Sequence, residues 1–456
     1  MDHTDCTTLV LFLNARPQIQ IIKCSWVSCS GSIYAELLTR SRCLTLAIKN
    51  LALHPNTSCL AGLIPSHVLS HSILSPTGRL KVFPDWKSLY QSSPTEAVVQ
   101  CFVHEDFLHQ RTLEHPAERC PRSCLERIIS TARETRSLEF LVGFELEFYL
   151  LEPTGSGNGR LSDDSLPLDE HLIPWRSSQR LHGKRSECLR KCMLALEEAG
   201  IIVEHGHAEG SVYQFEIATG PLEPLVAVDA FYASRDIIKR TAMTCHLIAT
   251  FVPKPFPDSE PSGLHLHLSV HQASLLKSPD LNITNMFLAG ILSRLPALCA
   301  ISMPSSQSYL RGTNKHTAGE FVAWGRANQS VPLNEVTQGY WEIRSMDCTA
   351  NVYLAVASYI GAGMMGIQRA EQLPSQDPGT VVEALAAEDR FSLGITRYLP
   401  KSLEEALSEF ENHLSDMQQI LGRRLVDLFQ EVKKNEIKTR EKWNDEMLRE
   451  LYMFHF

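Results

Sequence analysis

The chain has 456 residues, 44% hydrophobic and 21% charged, and a formal net charge of -9. That is enough sequence to bury a core and to divide into two or more domains. The acidic balance argues against a nucleic-acid partner, which needs a basic face, but not against ATP, whose phosphates a bound metal ion can neutralise.

Near the N-terminus, Thr7–Leu13 is a short apolar stretch preceded by Asp2 and Asp5, where a secretory signal needs a basic region. No run approaches the ~20 apolar residues of a membrane span. From Gln18 to Val27 apolar residues roughly alternate, and Ser28–Ser32 turns the chain. Leu44–Leu53 reads as a helix, Pro76-Thr77-Gly78 as a turn and Ala97–Val103 as a strand. Together they suggest a small β-rich N-terminal domain. The charged, proline-containing stretch Gln110–Pro121 marks its boundary, giving a division into 1–110 and 111–456.

Beyond it, Pro121–Ser137 is predicted helical and Leu138–Leu151 a strand. A polar insertion runs from Gly155 to about Ser178, and Glu187–Ala199 is an amphipathic helix stopped by Gly200. Strands follow at Ile201–His205 and Val212–Ala218, a long helix lies within Pro221–Ala249, and Gly263–Val270 alternates as a strand. Met286–Ala300, the Ala/Gly-rich Asn351–Ile367 and most of Leu403–Phe456 read as helices, the last broken at Gly422. The fold class is α+β, a mostly antiparallel sheet with helices kept outside it. The thirteen cysteines are scattered without zinc-finger or redox spacing, which predicts reduced thiols and a cytoplasmic protein.

Four local patterns place ionisable groups on one face of an otherwise apolar strand. In Gly143-Phe144-Glu145-Leu146-Glu147-Phe148, residues two apart point the same way, so Glu145 and Glu147 share a face. Adjacent carboxylates repel, and a metal ion is the usual remedy. Taken alone, a solvated strand face explains the pair equally well. Glu209 and Glu216 flank a turn and strand in which Gln214 shares Glu216's face. His265, His267 and Ser269 alternate strictly with Leu264, Leu266 and Leu268. Glu342 and Arg344 share a face in Trp341-Glu342-Ile343-Arg344, where a surface ion pair of small energetic value is the plainer reading. Five carboxylates and one imidazole suit Mg²⁺ or Mn²⁺, and six ligands are too many for one hydrated Mg²⁺, so two ions are the natural number.

These motifs, with Ala249-Thr250-Phe251-Val252-Pro253-Lys254-Pro255 and Ser262-Gly263-Leu264-His265-Leu266-His267, resemble the ordered signatures of glutamine synthetase. The resemblance spans nearly the whole chain, from Trp26-Val27-Ser28 to Lys434-Asn435-Glu436. It implies a β-grasp N-terminal domain and a catalytic domain built on a curved antiparallel sheet. It implies that Glu147, Glu209 and Glu216 hold one ion and Glu145, His265 and Glu342 the other. His267 and Ser269 would lie at the nucleotide, and Arg311 and Arg344 near the amino-acid carboxylates. The implied reaction is ATP-dependent activation of glutamate as an acyl phosphate, attacked by ammonia or an amine, in a ring-shaped homo-oligomer whose sites lie between subunits.

The chain departs from that pattern where charge is handled. Ser28 stands where the resemblance expects an ammonium-binding Asp, and Thr317 where it expects a flap Glu. Gln329 and Asn334 replace two arginines, Tyr213-Gln214 a Gly-Gln pair, and Glu260-Pro261 an Asn-Gly pair. Loss of one preorganised donor costs ~10²–10³ in rate. Two readings follow: a ligase whose acceptor is a larger or neutral amine, or a catalytically weakened protein that keeps its metal and nucleotide for a regulatory or assembly role.

Overall fold

The computed structural model describes residues 6–62, 79–106, 117–153, 175–211, 213–257, 259–273, 280–313 and 319–456. The expected turn at Pro76-Thr77-Gly78, most of the boundary stretch from Gln110 and most of the polar insertion from Gly155 lie outside these residues. Two compact units are present: Met1–Arg127 with Glu198–Gly200 and Met417–Asn444, and Ile128–Glu197 with Ile201–Asp416 and Asp445–Phe456.

The first unit opens with helix α1 (Cys6–Ala15), which accounts for the apolar stretch at Thr7–Leu13, and strand β1 (Ile21–Val27). β1 pairs antiparallel with β2 (Ile33–Thr39). Helix α2 (Arg40–Lys49) follows, then β3 (Arg79–Pro84), β4 (Tyr90–Ser93) and β5 (Glu96–Asp106). β1 and β5 pair in parallel, and the sheet order β2-β1-β5-β3, with β4 beside β5, is that of a small β-grasp domain. Helix α2 starts four residues before the expected Leu44 because Thr39 caps it, its hydroxyl accepting from Arg42 N at 3.3 Å. Between β1 and β2 the turn is tied by serines: Ser28 Oγ lies 3.0 Å from Ser30 Oγ and accepts from Ser32 N at 3.2 Å. Ser28 is fully buried, so this hydroxyl serves its own turn.

After α3 (Pro121–Arg136), the second unit is organised around an eight-stranded curved sheet, ordered β11-β12-β13-β10-β6-β8-β7 with β9 beside β6. Its elements are β6 (Leu138–Leu151), α4 (Gly183–Glu198), β7 (Val203–Ala208), β8 (Gln214–Thr219), α5 (Pro224–Thr244), β9 (Ile248–Thr250), β10 (Leu264–Gln272), α6 (Leu281–Ser302), α7 (Ser306–Tyr309), β11 (Trp324–Arg326), β12 (Leu333–Thr337), β13 (Tyr340–Ile343) and α8 (Val352–Arg369). All its strand pairs are antiparallel except β11–β12. Helices α9 (Ala387–Ser392), α10 (Leu403–Asn412), α11 (Leu414–Leu421), α12 (Arg423–Arg440) and α13 (Asp445–His455) complete the chain, with Gly422 at φ 94° separating α11 from α12.

One alternation drives both faces of the central strands. Phe144, Leu146 and Phe148 on β6 and Leu264, Leu266 and Leu268 on β10 are buried, and Phe144 packs on Phe231 of α5. The alternate residues carry the polar set. On the helical side, Phe287 of α6 stacks on Trp341 at 5.6 Å, and α6 lies against α8 through glycines. Helix α6 is longer than the expected Met286–Ala300, and among the described helices it has the length and apolarity of a membrane span. Its apolar window is 78% buried inside the fold, so that apolarity is explained by packing. All thirteen cysteines are free thiols, as their spacing predicted.

Arg294 on α6, 3% exposed, is held by Glu371 at 2.8 Å and Asp416 at 2.8 Å. Burial opposes ionisation of both carboxyls, but hydrogen bonds from Arg294 to Glu371 and from Arg369 and Arg294 to Asp416 hold them below the usual carboxylate range. With folded values depressed, their stabilisation is present above the unfolded carboxylate pKa and is lost as pH falls through the folded values. Arg294→Leu is therefore expected to lower the unfolding free energy at pH 7, measured by urea denaturation, by up to about 3 kcal/mol, and the difference from wild type is expected to shrink below pH ~4. A gap that stays constant down to pH 3 would contradict this account.

Candidate active site

The polar face of the central sheet gathers the sequence-predicted acids by strand register. His265 is the ladder partner of Glu145 across β10–β6, Glu147 of Glu216 across β6–β8, and Glu342 of both His267 and Asn334. His265 sits at the centre and is buried. Its Nδ1 is 2.8 Å from Glu145 Oε2 and 3.4 Å from Glu342 Oε1, while its Nε2 is 3.6 Å from Glu147 Oε1. Glu145, Glu216 and His265 place ligand atoms within 4.8 Å of one another. Glu209, at the end of β7, joins through His207, whose Nδ1 is 3.6 Å from Glu209 Oε1. Five carboxylates and His265 thus form one continuous cluster.

The surrounding groups fix these acids. Glu147 Oε2 accepts from Gly263 N at 2.9 Å and from Gln214 Nε2 at 3.0 Å. Gln214 is itself locked, accepting from Ser211 N and reaching Pro261 O and Ser262 Oγ. Glu342 accepts from Asn334 Nδ2 at 2.9 Å and from Arg344. Glu209 accepts from the indole of Trp175 at 2.9 Å, and Arg180 donates to the carbonyl oxygens of Glu209, Gly210 and Ser211, pinning that turn.

The electrostatics are those of a site short of positive charge. Burial raises the Glu147 carboxyl, and burial together with Glu147 and Glu216 pushes Glu209 up to about 8. Burial also opposes ionisation of Glu145, yet hydrogen bonds from His265 and His267 outweigh it and hold that carboxyl well below the usual range. Glu216 Oε1 is buried and makes no well-aligned hydrogen bond, although His207 Nε2 lies 3.1 Å from it. Acceptor-only oxygens in this number fit hard divalent cations.

The remaining predicted residues lie at different depths. His267 Nε2 is 3.1 Å from Glu145 Oε1 and its Nδ1 2.6 Å from Tyr340 Oη. Ser269 lies further along β10, with Oγ 2.8 Å from His271 Nε2. Arg344 is spent on Glu342, and buried Arg311 donates to the carbonyl oxygens of Met346 and Arg344. A Cβ on Gly263 would stand 2.8 Å from Arg311 Nη2 and 3.1 Å from both Glu147 Oε1 and His265 Nε2. Gly263→Ala is therefore expected to weaken Mn²⁺ binding about 10–100-fold with little change in the melting temperature, read by calorimetry and thermal unfolding.

Comparison with known proteins decides the family. The profile of the glutamine synthetase catalytic domain matches residues 118–452. The chain belongs to the glutamine synthetase family. Among relatives of this family, protein fluG of Emericella nidulans is 30% identical over 81% of the chain, and the match spans 42% of fluG's own length. The gamma-glutamylpolyamine synthetase GlnA3 of Streptomyces coelicolor is 29% identical over 84% of the chain and 82% of its own length. The glutamine synthetase of Methanocaldococcus jannaschii is 30% identical over 84% of the chain and 81% of its own length. A GmaS/ADP complex has the same fold, with TM-score 0.80 and 21% identity, covering 98% of the chain and 99% of that structure. The glutamine synthetase family consists of ligases that generally use ATP and divalent metal ions.

Within this glutamine synthetase fold, the departures take definite places. Asn334 is buried, accepting from Asn328 N at 2.8 Å while its amide supports Glu342. Gln329 is exposed in the turn before β12. The ring of Tyr213 lies under the Arg185 guanidinium at 3.9 Å, and Glu260 offers its carbonyl to Tyr149 Oη at 2.6 Å. Thr317 lies outside the described residues. Glu209 lies in the turn that follows β7, as expected; sequence reasoning ended that strand at His205, whereas β7 runs to Ala208. It therefore missed His205 and His207 as members of the polar face, although their i, i+2 spacing is the signal that identified His265 and His267. Trp175, Arg176 and Arg180 carried no local signal, because their partners lie ~30 residues away in sequence.

Proposed function

We propose that the chain is an ATP-dependent glutamate–amine ligase that forms a γ-glutamyl amide through a γ-glutamyl phosphate at a two-metal centre. The observation supporting it is the continuous cluster of Glu145, Glu147, Glu209, Glu216, Glu342 and His265, in which Glu147, Glu216, Glu342 and His265 are buried and Glu145 and Glu209 half-buried. In this reading Glu147, Glu209 and Glu216 hold one Mg²⁺ or Mn²⁺ and Glu145, His265 and Glu342 the other. Bound there, the ions neutralise the charge of the phosphates and of the acyl phosphate. His267 and Ser269 face the nucleotide. Arg311 and Arg344 act at the glutamate carboxylates, Arg344 shifting from Glu342 when a metal takes that oxygen. Gln214 and Gly263 orient Glu147, and Asn334 orients Glu342. The acceptor is ammonia or, with Ser28 committed to its own turn, more favourably a larger amine; the named activity of the Streptomyces relative supports the latter. A ring-shaped homo-oligomer belongs to the same reading, and light scattering at the 51.2 kDa monomer mass alone would count against it.

The test is ADP release from purified protein with glutamate, Mg²⁺ and a panel of ammonium, alkylamines and polyamines. Turnover with at least one acceptor supports the proposal, and its absence with all of them overturns it. Asn334 and Gln329 favour a second reading, a weakened enzyme that binds metal and nucleotide without turnover. On that reading, Gln329→Arg with Asn334→Arg is expected to raise ADP release by about 10²-fold or more. An unchanged rate would remove the missing arginines as the cause.

A further inference from the structure

Strand β7 carries alternating histidines that the two-ion centre does not use as ligands. His205 and His207 are two residues apart and share a strand face. Their rings stack, 5.5 Å between centroids and 11° from parallel. Across the β7–β8 ladder, Glu216 is the direct partner of His207. Its Oε1 lies 3.1 Å from His207 Nε2 and 3.8 Å from His205 Nε2, and the three ligand atoms fall within 4.8 Å of one another. Tetrahedral bonds of ~2.0–2.2 Å set ligand atoms roughly 3.4 Å apart, so small side-chain rotations close the set. This buried Glu216 oxygen, which makes no well-aligned hydrogen bond, is the one that faces both rings.

From this arrangement we infer that His205, His207 and Glu216 form a separate site for a borderline divalent ion of the zinc class. Two imidazoles and one carboxylate suit Zn²⁺, whereas Mg²⁺ takes oxygen ligands. His207 and Glu216 are buried and His205 is exposed, which leaves a water-accessible fourth position. One internal cation competes for this place. Arg176 Nη2 lies 2.6 Å from His207 Nε2, and its guanidinium rests over the Trp175 ring at 4.6 Å. Zinc binding displaces that guanidinium from His207 and leaves it on the indole. A further consequence rests on the proposed ligase reading: Glu216 is shared with the magnesium centre, so zinc here withdraws a ligand from it and inhibits.

The experiment is Co²⁺ titration of the full chain under saturating Mg²⁺, read by visible absorption, followed by competition with Zn²⁺. The wild type is expected to show an intense tetrahedral Co²⁺ band that Zn²⁺ removes. His205→Ala and His205→Gln, both at an exposed position, are expected to weaken Zn²⁺ by at least about 100-fold. Arg176→Ala is expected to tighten it, and Glu342→Gln to leave it unchanged. Equal Zn²⁺ affinity in the wild type and both His205 variants overturns the inference, as does a Co²⁺ band lost in Glu342→Gln but kept in His205→Ala. Failure of the ligase reading would appear separately, as absent ADP release with the Co²⁺ band intact.

Discussion

Glu147→Gln is expected to abolish most ATP-dependent turnover while leaving the chain folded, and more stable without metal. Glu147 is buried beside Glu216 and Glu209, and burial already disfavours its charge. A neutral amide of the same shape keeps an oxygen for Gly263 N and Gln214 Nε2 and removes the repulsion. In the proposed centre the same change removes a charged ligand. Turnover should fall about 10²–10³-fold, and calorimetry should find one Mn²⁺ fewer per chain. The melting temperature of the metal-free protein should rise or hold. A variant that binds Mn²⁺ like the wild type would exclude Glu147 as a ligand, and one that loses both binding and stability would make its role structural.

The second large effect lies on the opposite side of the sheet. Helices α6 and α8 meet backbone to backbone at Gly290 and Gly366. A Cβ on Gly290 would stand 2.2 Å from Ala362 O, and one on Gly366 2.2 Å from Met286 O and 2.6 Å from Gly290 Cα. No side-chain rotation relieves either clash, so the helices must separate. Alanine raises intrinsic helix propensity by about 1 kcal/mol, but overpacking a tight interface costs about 1–3 kcal/mol, and contact with backbone puts this case at the upper end. Gly290→Ala and Gly366→Ala should each lower the melting temperature by several degrees. Phe287 shares this seam, packing on Trp341, and Trp341 precedes Glu342. The two variants are therefore also expected to weaken Mn²⁺ binding. A melting temperature at or above the wild-type value would refute the packing argument.

Much of the site was legible because a strand's period of two is written directly in the sequence. Leu138–Leu151 matched its strand to the residue, and Gly263–Val270 nearly so, since Leu and Phe alternate with ionisable residues there. Strand β7 was cut short at His205 because Gly206 and Ala208 supply no apolar rhythm. Asn334 read only as a lost arginine; its place beside Glu342 follows from β12–β13 register, which no local pattern encodes.

By itself the sequence determined the α+β class, the free thiols, the polar strand faces and, through ordered motifs, the glutamine synthetase family. Each depends on side-chain periodicity or on short segments whose residues are neighbours in the chain. The carboxylate-rich site with which these observations began acquired its form only in the tertiary structure. That structure drew Glu145, Glu147, Glu209, Glu216, His265 and Glu342 into one cluster, set Gln214 and Asn334 behind it, and brought His205 and His207 onto Glu216. The physical reason is that ladder register and burial join residues up to about 200 positions apart, from Glu145 to Glu342, and the free energy of those long-range contacts leaves no trace in any local stretch.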